Sequence, residues 1–462
     1  MMTQTVRLSQ KVQEEIFMKK SLTFGMLLLF ILVMVGCGQG AAKTDDHSTT
    51  PTAGTTGKAS QAERPAGEET VKEVTLKLWY PGTEENTIQA INDIVAGFES
   101  ENPHIKVELT TIPWAEYFQK VTVAYSGGLQ PDVHGLGFGQ LISTVNQDKY
   151  LDLQPFIARD GWEGSADFFP DILKTGQWKG GQYGLLMPEI RPLAWRKDFF
   201  EEAGLDPETP PATVEELFAF AEKLKVEESG QTVRAGIDIQ TSNGEQSFLS
   251  LLLLYGEDIY DDEGNPNFDS DTSIKLLEQL VELYNNGVIL PAHQQEIGGT
   301  PFVKSQAALA LTSTANAALL GNAVGVDQLG WSLPPAGPSG AKTALVLGTF
   351  LTAAKDTKHP EEAWALIRYW FQRENILAFT SKTGFIPPLQ SVKDDFIKLR
   401  PENAVSFDSL NSAQGYRASE MWAINVKYLR LALEEAYNGI KPAADALKDS
   451  AKLAREEISN LR

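Results

Sequence analysis

The chain has 462 residues, 42% of them hydrophobic, which is enough apolar material for a large core and enough length for two or three domains. Its 61 acidic residues against 40 basic ones give a formal charge of −21, a surface that repels nucleic acid and anionic lipid headgroups. A single cysteine, Cys37, excludes an intrachain disulfide, and the five histidines lie too far apart in sequence to suggest a zinc site.

The first element is apolar. Lys19-Lys20 precede ten uninterrupted apolar residues, Met26 to Val35. That run is too short to span a bilayer, which takes about 20 residues, but with its basic flank it fits the core of a signal peptide. It ends Met34-Val35-Gly36-Cys37. The junction resembles the bacterial lipobox, with Met34 where Leu is usual. The resemblance implies removal of residues 1–36 and lipidation of Cys37, hence an extracytoplasmic protein anchored to the cell membrane. Met18 is an alternative start, because Met1 to Phe17 form a polar extension foreign to such signals. Residues 37–70 carry Thr, Ala, Gly, Ser and charge without apolar periodicity, and read as a lipidated, disordered tether.

Regular structure begins near residue 71. Val74, Leu76, Leu78 and Tyr80 alternate with polar or small residues at strand period, and Ile88, Ile91, Ile94, Val95 and Phe98 then recur at helical spacing. Ile105 to Ile112 alternates again, Trp114 to Tyr125 is helical, and Pro131-Asp132-Val133 opens a third strand. Strand, helix, strand, helix, strand implies a parallel α/β sheet. Further along, Thr213-Val214-Glu215-Glu216 is a capping box opening a helix to about Val226. Asp271 to Asn286 is a helix with Leu276, Leu277, Leu280 and Leu283 on one face and Gly287 as its C-terminal stop. Pro360 to Gln372 and Ala443 to Leu461 are further helices.

Several segments, in order, are similar to the family 1 extracellular solute-binding proteins, the maltose-binding-protein class. They are LKLWYPGTEEN (Leu76 to Asn86), FESENPHIKV (Phe98 to Val107), Gly127-Gly128 before Pro131-Asp132-Val133, Tyr183-Gly184-Leu185 before Trp195-Arg196-Lys197-Asp198-Phe199-Phe200, Pro210-Pro211-Ala212-Thr213, FVKSQAALALT (Phe302 to Thr312) and Gly384-Phe385-Ile386-Pro387-Pro388. The resemblance implies an α/β, two-lobed periplasmic-binding-protein-like fold. A hinge of two or three crossing segments joins the lobes, and the ligand cleft lies between them. Lobe 1 is expected at about 71–187 and 340–390, lobe 2 at about 188–339 and 391–462. The implied function is capture of a carbohydrate, an oligosaccharide above all, for the permease subunits of an ABC transporter, by a monomer without cofactor, metal or catalysis.

Sugars join an apolar ring face to many hydroxyls, so their sites combine aromatic platforms with side chains that donate and accept. Carried over from the resemblance, the first strand's loop offers Tyr80, Thr83 and Glu84, and the Pro-Asp-Val strand's loop offers Phe138 and Gln140. Glu189 and Arg191 sit near the hinge. Gln246 with Ser247 and Ser313, Thr314 and Asn316 come from the second lobe. Gly348 and Thr349 lie on a crossing segment, and Trp422 is a late aromatic. Arg196, where Asn is usual, together with Arg191 raises an alternative ligand, an acidic sugar or polyol phosphate. A second alternative is an exported carbohydrate-active enzyme using two carboxylates. The chain has no nucleophile elbow, His-Glu-x-x-His helix or phosphate-binding glycine loop. A third alternative is a binding protein that feeds a sensor. The acidic turn Asp261 to Asn265 fails as an EF-hand, because placing Gly264 on the invariant glycine puts Ile259 and Ser270 at the first and last ligand positions; a hairpin turn is expected.

Overall fold

The computed structural model describes residues 72–292, 299–417 and 419–462; Cys37, the apolar run and the tether lie outside them. The chain opens with β1 (Val74–Pro81), α1 (Glu85–Glu101), β2 (Ile105–Ile112), α2 (Trp114–Ser126), β3 (Val133–Gly137) and the short α3 (Phe138–Thr144). After two short strands come β4 (Leu185–Arg191) and β5 (Leu193–Arg196). The next run is α4 (Val214–Leu224), β6 (Val226–Glu228), β7 (Gln231–Asp238), α5 (Glu245–Leu252) and α6 (Asp271–Asn285). It is followed by β8 (Ala307–Leu311), α7 (Thr314–Val324), β9 (Leu329–Ser332) and β10 (Leu345–Ala353). The helices α8 (Pro360–Trp370), α9 (Arg373–Thr383), α10 (Trp422–Tyr437) and α11 (Ala443–Ser459) complete the chain. Among the described residues, no helix is long and apolar enough to cross a membrane.

The strands form two five-stranded sheets, ordered β2-β1-β3-β10-β4 and β9-β5-β8-β7-β6. In the first, β1 pairs parallel with β2 and β3, as the strand–helix alternation requires, while β10 runs antiparallel between β3 and β4. In the second, β8 pairs parallel with β7 and antiparallel with β5. Each sheet with its helices is a lobe. The chain passes between them at Arg191-Pro192-Leu193, between β9 and β10, and between Gln414, bridged to Leu345, and Trp422 at the start of α10. Residues 390–407 pack against the first lobe: Gln390 donates to the Phe168 carbonyl at 3.0 Å, and the Phe407 ring meets Phe169 edge-on at 5.3 Å.

Local chemistry sets the element ends. The Thr213 hydroxyl accepts from the Glu216 N–H at 3.2 Å, and the Glu216 carboxylate accepts from the Ala212 N–H at 2.7 Å, so the capping box forms with its return bond one residue early. Ser270 caps α6, and Gly287 takes φ +70° just beyond that helix. The Asp261–Asn265 segment is a turn closed by the Tyr260–Pro266 bridge. Among the described residues, no cluster of His, Cys, Asp and Glu could hold a metal.

His134 on β3 is fully buried. Its Nε2 accepts from the Tyr125 hydroxyl at 2.7 Å, and its Nδ1–H donates to the Gly135 carbonyl at 3.2 Å. Burial lowers its pKa to about 4. The folded state therefore keeps His134 neutral where the unfolded chain, titrating near 6.5, takes up a proton. Stability from this residue is complete above pH 6.5 and lost as pH falls to 4, about 3 kcal/mol in all. Denaturant titrations across that window should show the slope flatten in His134→Gln; an unchanged slope would assign the acid sensitivity to other groups.

Candidate ligand-binding cleft

The parallel strands β1, β2 and β3 direct their C-terminal ends to one edge of the first sheet, where loops gather functional side chains. A methyl on Gly82, after β1, would lie 2.6 Å from the Glu84 carboxylate and 3.3 Å from the Trp114 Nε1. One on Gly137, at the end of β3, would lie 2.4 Å from the Gln140 side-chain Oε1 and 3.0 Å from the Phe118 ring. Trp114 and Phe118 are one helical turn apart on α2, with ring centroids 5.8 Å apart. Both are half-buried. Glu84, Trp114, Phe118 and Gln140 thus form one patch, an aromatic pair between a carboxylate and an amide.

Nearer the crossing, Arg191 at the end of β4 donates from Nη2 to Gln246 Oε1 at 2.5 Å and to Glu189 Oε1 at 3.3 Å, joining the lobes. Burial pushes the Glu189 carboxyl up, and the Arg191 charge offsets part of that shift. Arg191 also acts on Asp238, at the end of β7, where burial again pushes the carboxyl up against a hydrogen bond from the Phe302 N–H at 3.0 Å. Beside Gln246, the buried Glu245 accepts both arms of Arg430 at 2.6 and 2.7 Å.

The third crossing brings two aromatics. The Tyr416 ring lies between Phe138, at 6.4 Å, and the edge of Trp422, at 5.6 Å. Burial raises the Tyr416 phenol strongly, Glu245 adds to that, and Arg430 and Arg191 oppose it. The segment is held from the second lobe: Arg417 donates to Asp258 at 3.0 Å and pairs with Asp262, the Tyr260 hydroxyl donates to the Arg417 carbonyl at 2.7 Å, and Asn425 donates to the Gly264 carbonyl at 3.0 Å. Around these crossings the Nε of Arg191, the hydroxyls of Thr314 and Tyr416, and the Nε1 of Trp422 are buried and have no partner among the described residues. A buried polar group left so costs about 1–3 kcal/mol.

Residues 93–405 match the family model described as bacterial extracellular solute-binding protein. This chain belongs to that family. A binding protein of Brucella abortus (strain 2308) is 24% identical over 371 residues, spanning 78% of this chain and 88% of its own. The protein CpMnBP1, with mannobiose bound, superimposes with a TM-score of 0.74 at 23% identity, over 83% of this chain and 100% of its own. The ABC substrate-binding protein Lmo0181 of Listeria monocytogenes, in complex with cycloalternan, gives 0.73 at 19% identity, over 84% and 100%. The solute-binding protein therefore has the two-lobed fold that its motifs imply, with the hinge at the crossings and the cleft between the sheets.

The structure of this solute-binding protein separates the residues expected at its site. Glu84 and Gln140 stand in the patch at the C-terminal edge of β1 and β3, and Glu189, Arg191 and Gln246 at the first crossing. Thr83 is exposed beside them. Tyr80 is corrected from platform to core. It shares the β1 face of Val74, Leu76 and Leu78, and its ring stacks on Trp370 at 5.7 Å and 13°, with Phe379 on its edge. Phe138 is likewise packed, against Phe350 at 5.5 Å, and is 4% exposed. Ser313 caps α7 by accepting from the Asn316 N–H at 3.1 Å, and both are buried. Ser247 is engaged by Gln240. Gly348 and Thr349 belong to the hinge ladder, where Thr349 is fully buried. Arg196 leaves the ligand question altogether. It forms a two-armed pair with Asp198 at 2.9 and 2.6 Å, donates to Ser305 at 2.7 Å and stacks on Phe199. Trp114, Phe118 and Tyr416 escaped the sequence reading. Pro113-Trp114 directly follows β2 at the same sheet edge as the loops chosen, which is the signal that would have found Trp114.

These placements separate two kinds of aromatic. Tyr80→Ala should destabilise the fold by about 3–5 kcal/mol and Phe118→Ala by much less. Phe118→Ala should instead weaken binding of the solute while melting stays close to wild type. Calorimetric affinity and melting measured on both variants decide it; full affinity in Phe118→Ala would remove the α2 aromatics from the site.

Proposed function

We propose that this solute-binding protein captures a neutral carbohydrate, an oligosaccharide above all, in the cleft between its lobes and delivers it to the permease of an ABC importer. The observation that carries the reading is the set of four buried, unpartnered groups at the crossings: Arg191 Nε, Thr314, Tyr416 and Trp422 Nε1. Two are donors only and two both donate and accept. A polyhydroxylated ligand supplies oxygens that satisfy all four, and the Trp114–Phe118 pair offers it an apolar face. The bound mannobiose and cycloalternan of the structural neighbours support the same class.

Charge favours a neutral ligand over an acidic one. Arg430 is matched by Glu245, Arg196 by Asp198, and Arg191 has Glu189 beside it. An acidic sugar or polyol phosphate would find each of these guanidiniums already facing a carboxylate. The protein performs no chemistry on its ligand; like its family it binds and releases. Closure works by population shift, because only the closed state offers both half-sites at once. Lobe 1 comprises about residues 72–191 and 345–414, and lobe 2 about 193–332 and 422–462. The protein works as a monomer, exported and held at the cell membrane by a lipid on Cys37.

Thermal-shift screening with mannobiose, maltotriose, galacturonate and sorbitol 6-phosphate tests the ligand class. A neutral sugar at 100 times its dissociation constant should stabilise by about 2.7 kcal/mol, with no turnover on prolonged incubation. Stabilisation by the uronate or phosphate alone would replace neutral sugar with anion, and turnover would make the protein an enzyme. For the anchor, Cys37→Ser should release the protein from membranes or leave it unprocessed; an unmodified Cys37 in membrane-bound protein would refute lipidation.

A further inference from the structure

The sequence holds three Asn-Gly pairs: Asn243-Gly244, Asn286-Gly287 and Asn438-Gly439. Two of them end helices. Asn286 closes α6 and Asn438 closes α10, and there the glycine nitrogen is engaged: Gly287 N–H donates to the Tyr284 carbonyl at 3.0 Å, and Gly439 N–H to the Ala436 carbonyl at 3.1 Å. The Asn438 side chain also donates to the Glu434 carbonyl at 2.8 Å. Asn243-Gly244 is built differently. It lies between β7 and α5, outside any helix or strand. Asn243 is exposed at φ +49°, a left-handed conformation that asparagine tolerates better than most residues. Among the described residues, neither its side chain nor the Gly244 N–H has a hydrogen-bond partner. Position 244 is kept as glycine by contact, since a β-carbon there would fall 1.9 Å from the Gln240 carbonyl oxygen. The fold therefore retains the dipeptide and leaves both of its reacting groups open. Its flanks are held. The Ser242 N–H donates to the Ala292 carbonyl at 3.0 Å and its hydroxyl to Glu434 at 3.0 Å, while Glu245 takes both arms of Arg430.

We infer that Asn243 is a deamidation site, and that its conversion loosens Gln246 from Arg191. The Gly244 nitrogen attacks Asn243 Cγ. A C–N bond forms, the bond from Cγ to the side-chain nitrogen breaks, and ammonia leaves with the Gly244 proton. Water then opens the cyclic imide. Opening at Cγ gives aspartate; opening at the backbone carbonyl gives isoaspartate, whose main chain is one carbon longer. Either product adds a negative charge just before α5, beside Glu245 and Glu434. The extra carbon falls between two held residues and against Gln240, so it displaces the first turn of α5. That turn makes two links, and the two-armed Glu245–Arg430 pair is the stronger. The single bond from Arg191 to Gln246 is the one that yields.

The test ages the full chain at mildly alkaline pH, folded and in urea, and maps its peptides by mass spectrometry, with isoaspartyl methyltransferase reporting the longer isomer. In urea the three pairs should convert at similar rates. In the folded protein Asn243 should keep that rate, while Asn286 and Asn438 slow about tenfold, the equivalent of one engaged hydrogen bond. Protection of Asn243 as strong as that of the two helix-end pairs would overturn the inference. Amide exchange without solute should rise over residues 245–252 in the aged wild type and stay at its fresh level in Asn243→Gln aged alike, because the longer side chain closes the ring far more slowly. A rise in both proteins, or in neither, would overturn the effect on α5. Affinity is the arm that rests on the carbohydrate reading: mannobiose and maltotriose should bind the aged wild type about tenfold more weakly than the fresh protein, the loss of one hydrogen bond to a charged group. Equal affinities would detach the site from binding. If the fresh protein binds neither sugar, the carbohydrate reading alone is refuted, and mapping and exchange decide the inference.

Discussion

The antiparallel ladder between β4 and β10 joins seven registered pairs, from Leu345 with Arg191 to Leu351 with Leu185. Both strands lead directly into crossings, so two of the three chain passages between the lobes start from this ladder, and Gln414, at the head of the third, is bridged to its Leu345. Its midpoint is Gly348, at φ +137°, where a β-carbon would sit 2.1 Å from the Met187 carbonyl oxygen. Only glycine fits that conformation and that proximity together. A ladder bonded along its length resists stretching, and motion is left to the short unpaired links at its ends, Pro192 and the segment before Leu345. Glu189 and Arg191 lie on the ladder itself, next to Pro192, and so close to the axis of such a motion.

Polar groups are distributed around that axis in two ways. Glu245–Arg430 and Arg196–Asp198 are mutually satisfied ion pairs with good geometry, which makes them scaffolding. Arg191 is shared: one nitrogen bonds across to the other lobe while another is unpartnered. Half-satisfied buried groups are tolerated where something else completes them. The completed pairs hold the crossings in place, and the open donors leave hydrogen-bonding capacity beside them.

Much of the fold was legible in the sequence because periodicity reports it directly. The first lobe's strand–helix alternation, the capped α4 and the leucine face of α6 all follow from spacing alone. The site was less legible. The resemblance carries Tyr80 into the site with the loop after the first strand, yet its parity with Val74, Leu76 and Leu78 places it on the buried face of β1. Ser313 and Gly348 were chosen as ligand groups and serve the backbone instead, one as a helix cap and one as a hinge glycine. Trp422 was legible as important, but its neighbour Gly139, more than 280 positions earlier, was not, because the reason for that glycine is the Trp422 ring, which a β-carbon there would meet at 2.0 Å. Long-range contacts of this kind leave no local pattern.

The acidic turn at Asp261 to Asn265 has the composition of a cation-binding loop, and a cation does sit there: the guanidinium of Arg417, between Asp258 and Asp262. The charge that organises the loop is covalently part of the chain, and it is one residue from Tyr416. The segment bearing the cleft aromatics is thus locked by an internal counterion. Chelators and swings in external calcium leave that lock in place, an advantage for a receptor working outside the cell, where ion concentrations are not under the cell's control.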